Sequence, residues 1–221
     1  SAPLLAETFA EFQSRTGHTI LERYGMSETG MNTSNPLHGE RRAGTVGQAL
    51  PGVSVRIVDD NGNAVMTGAT GKLQVKGPNV FPGYWRMPEK TAADFTADGF
   101  FDTGDQASMD ADGYVAIVGR AKDMVITGGL NVYPKEIELV IDEMPGVIES
   151  AVIGIPHADF GEAVIAVIVP ADNAPDKAEI VSHCKLLLAN FKVPKRIEFI
   201  SALPRNAMGK VQKNLLREQY S

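Results

Sequence analysis

The sequence predicts an α+β protein in two parts, a β-rich half followed by a small α+β half. Three observations lead there. Between Val53 and Val118, short segments rich in β-branched residues alternate with Gly-, Asn- and Asp-containing turns. After Gly119, short apolar strands alternate with helical patterns in the order β-α-β-β-α-β. The 221 residues are 43% hydrophobic and 22% charged, enough for one or two real cores in a globular chain.

Leu4, Leu5, Phe9 and Phe12 recur at helical spacing, and Gly17 is a natural stop. His18 to Tyr24 reads as a short strand. Residues 36 to 52 are rich in Gly and Pro and read as loop. Val53 to Val58 alternates as a strand, and Asp59-Asp60-Asn61-Gly62 suits a hairpin turn. Leu73 to Lys76 and Tyr114 to Val118 are further strands, with a short helix from Pro88 to Phe95 between them. In the second half, Met124 to Thr127 is a strand and Gly128-Gly129 a turn. Pro134 opens a helix running to about Glu143, with proline in its first turn. Val147 to Ile155 and Ala163 to Val169 are strands, Lys177 to Ala189 a helix, Arg196 to Ile200 a strand and Gln212 to Gln219 a last helix. The expected divisions are 1–119, a hinge at 120–122, and 123–221.

The bulk properties exclude several classes. A net charge of −6 argues against general nucleic-acid binding. The single cysteine, Cys184, permits no internal disulfide and sits in an apolar run, so a buried structural thiol is expected. No apolar stretch nears the roughly 20 residues of a membrane helix, and no signal peptide opens the chain. The cytoplasm is the expected location. From Lys185 to Arg217 there are eight Lys/Arg residues and one acid, Glu198. That tail suits either a polyanionic small ligand or a solvated face.

Chemistry concentrates in a few short segments. Tyr24-Gly25-Met26-Ser27-Glu28-Thr29-Gly30 places a ring, a tight turn, two hydroxyls and a carboxylate together. A nucleoside triphosphate with its metal needs such groups, although a polar turn after a strand has them too. Asp105 follows Thr103-Gly104. Its two oxygens can accept from both ribose hydroxyls, or can close an Asx turn. Asp102 is the weaker candidate. Arg120 offers a planar fork of donors. Lys210 follows Gly209, which permits reach, and a lysine is a compact, movable point charge. His157 has no second ligand at metal spacing and reads as structural, as does Trp85.

Tyr24 to Gly30, Asp102-Thr103-Gly104-Asp105, Gly119-Arg120-Ala121-Lys122-Asp123 and Pro204 to Lys210 occur in that order. Together they resemble the core motifs of the ATP-dependent adenylate-forming family, which includes acyl-CoA synthetases, luciferases and peptide-synthetase adenylation domains. The likeness covers the whole chain and is most marked toward malonyl-CoA synthetases. It implies a reaction of ATP with a carboxylic acid, malonate or methylmalonate among the candidates, giving acyl-AMP and then, with CoA, acyl-CoA and AMP. It implies that Tyr24 stacks on adenine, that Ser27 and Thr29 bond phosphate oxygens, and that Glu28 holds Mg²⁺ and is catalytic. Asp105 and Arg120 would hold the ribose. Lys122 would be the hinge of a mobile C-terminal domain, and Gly128 and Gly129 would line the pantetheine tunnel. Lys210 would be the catalytic cation between the substrate carboxylate and the α-phosphate. Met26 would touch the acyl group.

Expected partners are ATP, CoA, a carboxylic acid and the missing N-terminal part of the same enzyme. A homodimer stays open. In the family a Ser-Ala-Pro element like Ser1-Ala2-Pro3 lies mid-chain, after a phosphate loop. The chain therefore reads as the C-terminal part of an enzyme, inactive in isolation. Two alternatives remain: an adenylation domain that loads a carrier protein, and an inactive nucleotide-binding fragment.

Overall fold

The computed structural model describes residue 4 and residues 6–221. Ser1-Ala2-Pro3, and Leu5 of the expected helical pattern, lie outside the described residues. The chain forms two compact units, one ending at Ala121 and the other beginning at Lys122.

The first unit opens with helix α1 (Ala6–Thr16), which buries only Phe9; Phe12 stays 42% exposed. Strands β1 (Arg23–Met26), β2 (Gly30–Ser34) and β3 (Gln48–Ala49) form one antiparallel sheet. Strands β4 (Ser54–Val58), β5 (Gly71–Lys76), β6 (Phe101–Met109) and β7 (Val115–Arg120) form a second, antiparallel meander. Helix α2 (Pro88–Asp94) interrupts it, with Pro88 at its first turn. Ile57, Leu73, Ala107 and Val115 make the core, and Tyr24, Val46 and Ile117 pack against it.

The second unit is one mixed sheet with helices on both faces. Strands β8 (Val125–Thr127) and β9 (Leu130–Val132) form a hairpin, followed by helix α3 (Pro134–Asp142). Strands β10 (Val147–His157) and β11 (Gly161–Pro170) form a long antiparallel pair. Helix α4 (Lys177–Leu187) leads to β12 (Arg196–Phe199), parallel to β11, and α5 (Lys213–Tyr220) ends the chain. β11 is covered on both faces, so it is apolar at nearly every position rather than alternating. Val164, Ala166 and Ile168 meet Ile137 and Ile141 of α3 and Ile180 and Cys184 of α4. Ile165, Val167 and Val169 face Leu203 and Leu216 on the other side. Each fully buried Val, Leu or Ile among them contributes about 1.5–3 kcal/mol of transfer free energy. Helix α4 starts with a complete capping box, Asp176 accepting from the Glu179 amide while the Glu179 side chain accepts from the Asp176 amide.

The α+β class matches the sequence reading, and several elements go beyond it. β6 has no counterpart in the sequence reading, because Asp102, Gly104, Asp105 and Gln106 break any apolar alternation. It is nonetheless an interior strand, paired with β5 and β7. β2, β3 and β9 are too short and polar to show a period. The second unit thus runs β-β-α-β-β-α-β-α, with β9 added to the expected elements and α5 standing where the last helix was expected. Trp85, read as packing, is 85% exposed. Cys184 is fully buried, and burial pushes its thiol up to about 11, which suits the structural role.

Candidate functional site

The candidate residues form two sets, one in each compact unit. In the first, the β1–β2 hairpin carries the Tyr24 to Gly30 segment. The register shifts between Tyr24 and Gly25, and a Cβ on Gly25 would lie 2.1 Å from the Gly30 carbonyl oxygen. Only glycine allows that approach. The turn closes with the Thr29 amide donating to the Met26 carbonyl at 3.1 Å. Ser27 is exposed at its tip. Thr29 is 0% exposed, and its buried hydroxyl has no hydrogen-bond partner among the described residues. Thr29, the last residue of the turn, faces inward, and Ser27 is open to solvent.

Glu28 is held by its backbone and its side chain. Its carbonyl accepts from the Phe81 amide at 2.8 Å, and Oε1 accepts from the Tyr84 hydroxyl at 3.4 Å. The Tyr84 phenol is pushed up to about 12, mainly by burial and then by the Glu28 charge, so it remains a donor. This partnership was not read from the sequence, because the two residues lie 56 positions apart. Among the described residues no three His, Cys, Asp or Glu side chains cluster as a metal cage. A lone carboxylate is nevertheless the donor set that Mg²⁺ uses beside substrate phosphates.

Asp105 is the charged centre of this unit. It is 4% exposed on β6, directly opposite Arg120 on β7. Its Oδ1 pairs with Arg120 Nε at 2.8 Å and its Oδ2 accepts from the Tyr24 hydroxyl at 2.5 Å. The sheet, not an Asx turn, sets its position; the local turn is made by Asp102, whose Oδ1 accepts from the Gly104 amide at 3.0 Å. Tyr24 and Arg120 thus fix the orientation of both carboxylate oxygens. Burial, then the Asp105 charge, raise the Tyr24 phenol well above the usual tyrosine range. Tyr24 therefore acts as a neutral donor, and its partly buried ring packs on the sheet core.

In the second unit, Gly128 and Gly129 are the two central residues of the β8–β9 turn. Their φ angles of 58° and 77° are both left-handed, as a primed hairpin turn requires, and added Cβ atoms would meet nothing within 4 Å. The turn therefore needs glycine for backbone conformation and presents an open edge. Lys210 lies in a hairpin between Arg205 and Val211. Asn206 organises it: its Oδ1 accepts from the Met208 and Lys210 amides, both at 3.0 Å, and its own amide donates to the Lys210 carbonyl at 2.9 Å. The Lys210 backbone is thus fixed while its side chain is exposed.

The basic tail is largely neutralised within its own unit. Lys192 pairs with Glu136, Arg196 with Glu198, Arg205 with Glu149, Lys213 with Glu138 and Arg217 with Asp123. Folding brings acids from Asp123 to Glu149 onto the tail, so most of its charge is structural rather than a free polyanion site. Lys122 is exposed in the 3-10 turn Ala121–Asp123. His157 Nδ1 accepts from the Asp159 amide at 3.2 Å, a turn contact in line with its structural reading.

Comparison with known proteins bears on both sets. The model of the AMP-binding enzyme family matches residues 1–85, and that of the AMP-binding enzyme C-terminal domain matches residues 136–210. The chain belongs to the AMP-binding enzyme family. The first match contains Tyr24 to Thr29 and the second ends on Lys210; Asp105, Arg120, Gly128 and Gly129 lie between them. ATP-bound MatB from Rhodopseudomonas palustris is 60% identical with a TM-score of 0.95, over 100% of this chain and 44% of that one. A malonate–CoA ligase from Arabidopsis thaliana is 42% identical over 231 residues, 99% of this chain and 37% of the relative. A long-chain-fatty-acid–CoA ligase from Yersinia pestis is 41% identical over 218 residues, 98% of this chain and 39% of the relative. The chain spans about two fifths of the length of the curated relatives it matches.

Proposed function

We propose that the full-length protein is an AMP-forming acid–CoA ligase, with malonate or methylmalonate as the acid. The buried carboxylate of Asp105, oriented by Tyr24 and Arg120, carries this reading. A fixed, mostly desolvated carboxylate suits a cis-diol, whose two hydroxyls donate to an anion, and a ribose is the diol that this family's substrate carries. Arg120, nearly half exposed, extends donors toward the same sugar. Ser27 bonds a phosphate oxygen. Glu28, steadied by Tyr84, would hold Mg²⁺, which neutralises phosphate charge and favours pyrophosphate departure.

Lys210 brings the second charge. As the acid's carboxylate oxygen attacks the α-phosphorus, negative charge grows on the phosphoryl oxygens, and a positioned ammonium lowers that barrier. Pyrophosphate leaves, and the acyl carbon is then open to the CoA thiol, with AMP as leaving group. Gly128 and Gly129 present bare backbone, suited to a thin pantetheine arm. Lys122, exposed at the start of the second unit, serves as the pivot between the two half-reactions.

The malonate–CoA ligase relative supports a dicarboxylic acid, while the fatty-acid ligase at nearly equal identity makes the long-chain acid the competing substrate. ATP–pyrophosphate exchange on the full-length protein, with malonate, methylmalonate and a long-chain fatty acid in turn, decides between them. Exchange driven by malonate or methylmalonate, with CoA-dependent AMP release, is the expected result. Exchange with the long-chain acid alone would overturn the substrate, and no exchange with any of them would overturn the activity.

A further inference from the structure

Helix α5 starts against the usual rules. Its first residue is the cation Lys213, its first turn holds no acid, and its N-cap residue Gln212 makes no side-chain cap. The positive end of a helix dipole disfavours a lysine there. Local rules are broken in this way where tertiary structure or function demands the residue. Here the lysine is held by an acid from another element. Lys213 Nζ bonds Oε1 of Glu138 at 2.5 Å, with the two side chains only 17% and 9% exposed.

Glu138 occupies a defined place. It lies on α3 among Ile137 and Ile141, and its Oε1 also accepts from the Val152 amide at 2.9 Å. Val152 belongs to β10, which is the outer strand of the sheet. The Glu138–Lys213 pair therefore wraps the sheet edge and ties α3, on one face, to α5, on the other. Lys210 lies three residues upstream. In between, Val211 packs on the apolar cluster of Leu203 and Leu216, and the Gln212 amide donates to the Pro204 carbonyl at 2.8 Å. The other end of the hairpin is held by Arg205, which bonds the Gly209 carbonyl at 2.6 Å and pairs with Glu149 of β10.

We propose that the Glu138–Lys213 ion pair is a positioning clamp that sets the Lys210 hairpin for adenylate formation. The proposal rests on the reading of Lys210 given above. A buried pair that only held the fold would affect both half-reactions alike. A clamp on Lys210 acts on the first alone, because thioester formation from a finished adenylate does not use that cation. Misplacing a catalytic group by about 1 Å can cost up to 10²-fold, which sets the expected scale.

The test measures the two half-reactions separately in the full-length enzyme. Lys213→Met and Glu138→Gln should each slow acyl-adenylate formation by about 10- to 100-fold. Thioester formation from supplied acyl-adenylate and CoA should stay near the wild-type rate, and Lys213→Arg should restore the first step. In a Lys210→Ala background, Lys213→Met should add no further loss, as expected for residues acting as one unit. If Lys213→Met does not fold, Glu138→Gln carries the test, since its amide oxygen can still accept from Val152. Equal slowing of both steps, additive loss in the double variant or failure of Lys213→Arg to restore the rate would overturn the clamp. An impaired Lys210→Ala enzyme beside an unaffected Lys213→Met enzyme removes the clamp alone. An unaffected Lys210→Ala enzyme removes the role of Lys210 and the clamp with it.

Discussion

Asp105 and Lys210 are the two charges on which the proposed chemistry turns, and the fold treats them in opposite ways. Asp105 is 4% exposed, inside a sheet, with a phenol on one oxygen and a guanidinium on the other. Lys210 has its backbone fixed by Asn206 and its side chain in solvent. A group that holds the same sugar throughout a reaction is best preorganised, because ordering it at each turnover costs free energy. A group needed in one step only is best presented on a rigid base with a movable head. The difference between the two regions is thus a difference between recognition and timing.

Lys210→Ala tests the timing side and carries the largest expected effect. Loss of a preorganised cation should lower acyl-adenylate formation by about 10²–10³-fold. Thioester formation from supplied adenylate should persist, as read by single-turnover assays of each step. Asp105→Ala tests the recognition side. It removes the buried acceptor that Tyr24 and Arg120 share, so ATP use should weaken by roughly 2–4 kcal/mol. An unchanged dependence of rate on ATP would break the comparison at its root.

Tyr24→Phe sharpens it. The ring and its packing remain, and the hydroxyl goes, with its 2.5 Å bond to Asp105 and its 3.8 Å contact to Met26 Sδ. ATP affinity should fall by about 1.5–2 kcal/mol, with the rate at saturating ATP little changed. Gly128→Ala probes the open turn. No atom obstructs the new methyl, so its cost is backbone strain at φ 58°, about 1–2 kcal/mol. Hydrogen exchange at Val125 and Val132 would read that loss of stability locally.

The smallest effect is expected at Asp142, which lies in neither candidate set. Burial raises its pKa, outweighing the Ser150 hydroxyl at 2.6 Å and Lys135. A carboxyl with a raised folded pKa adds stability below its unfolded pKa, near 4, and loses it as pH rises through the folded value. Asp142→Asn cannot ionise, so its stability relative to wild type should increase between pH 4 and pH 7. Denaturation midpoints across that range check the sign.

The α+β class, the strands from Val147 to Val169, the helices opened by Pro88 and Pro134 and the turn at Gly128-Gly129 could all be read from the sequence. Each rests on a short-range signal: a continuous apolar run, a fixed φ, a required left-handed backbone. Tyr24, Glu28, Asp105 and Lys210 could be singled out because residue types and order carry chemistry within a few positions. What surrounds them could not. The Tyr24–Asp105 bond joins residues 81 positions apart, and Glu138 meets Lys213 across 75. The inward turn of Thr29, the burial of Asp105 and the neutralisation of the basic tail by Glu136, Glu138 and Glu149 follow from strand pairing and helix packing. Residue type determines what a group can do, and only close packing in three dimensions determines its partners, because a charge or hydroxyl is satisfied by whichever complementary group the chain brings within about 3 Å.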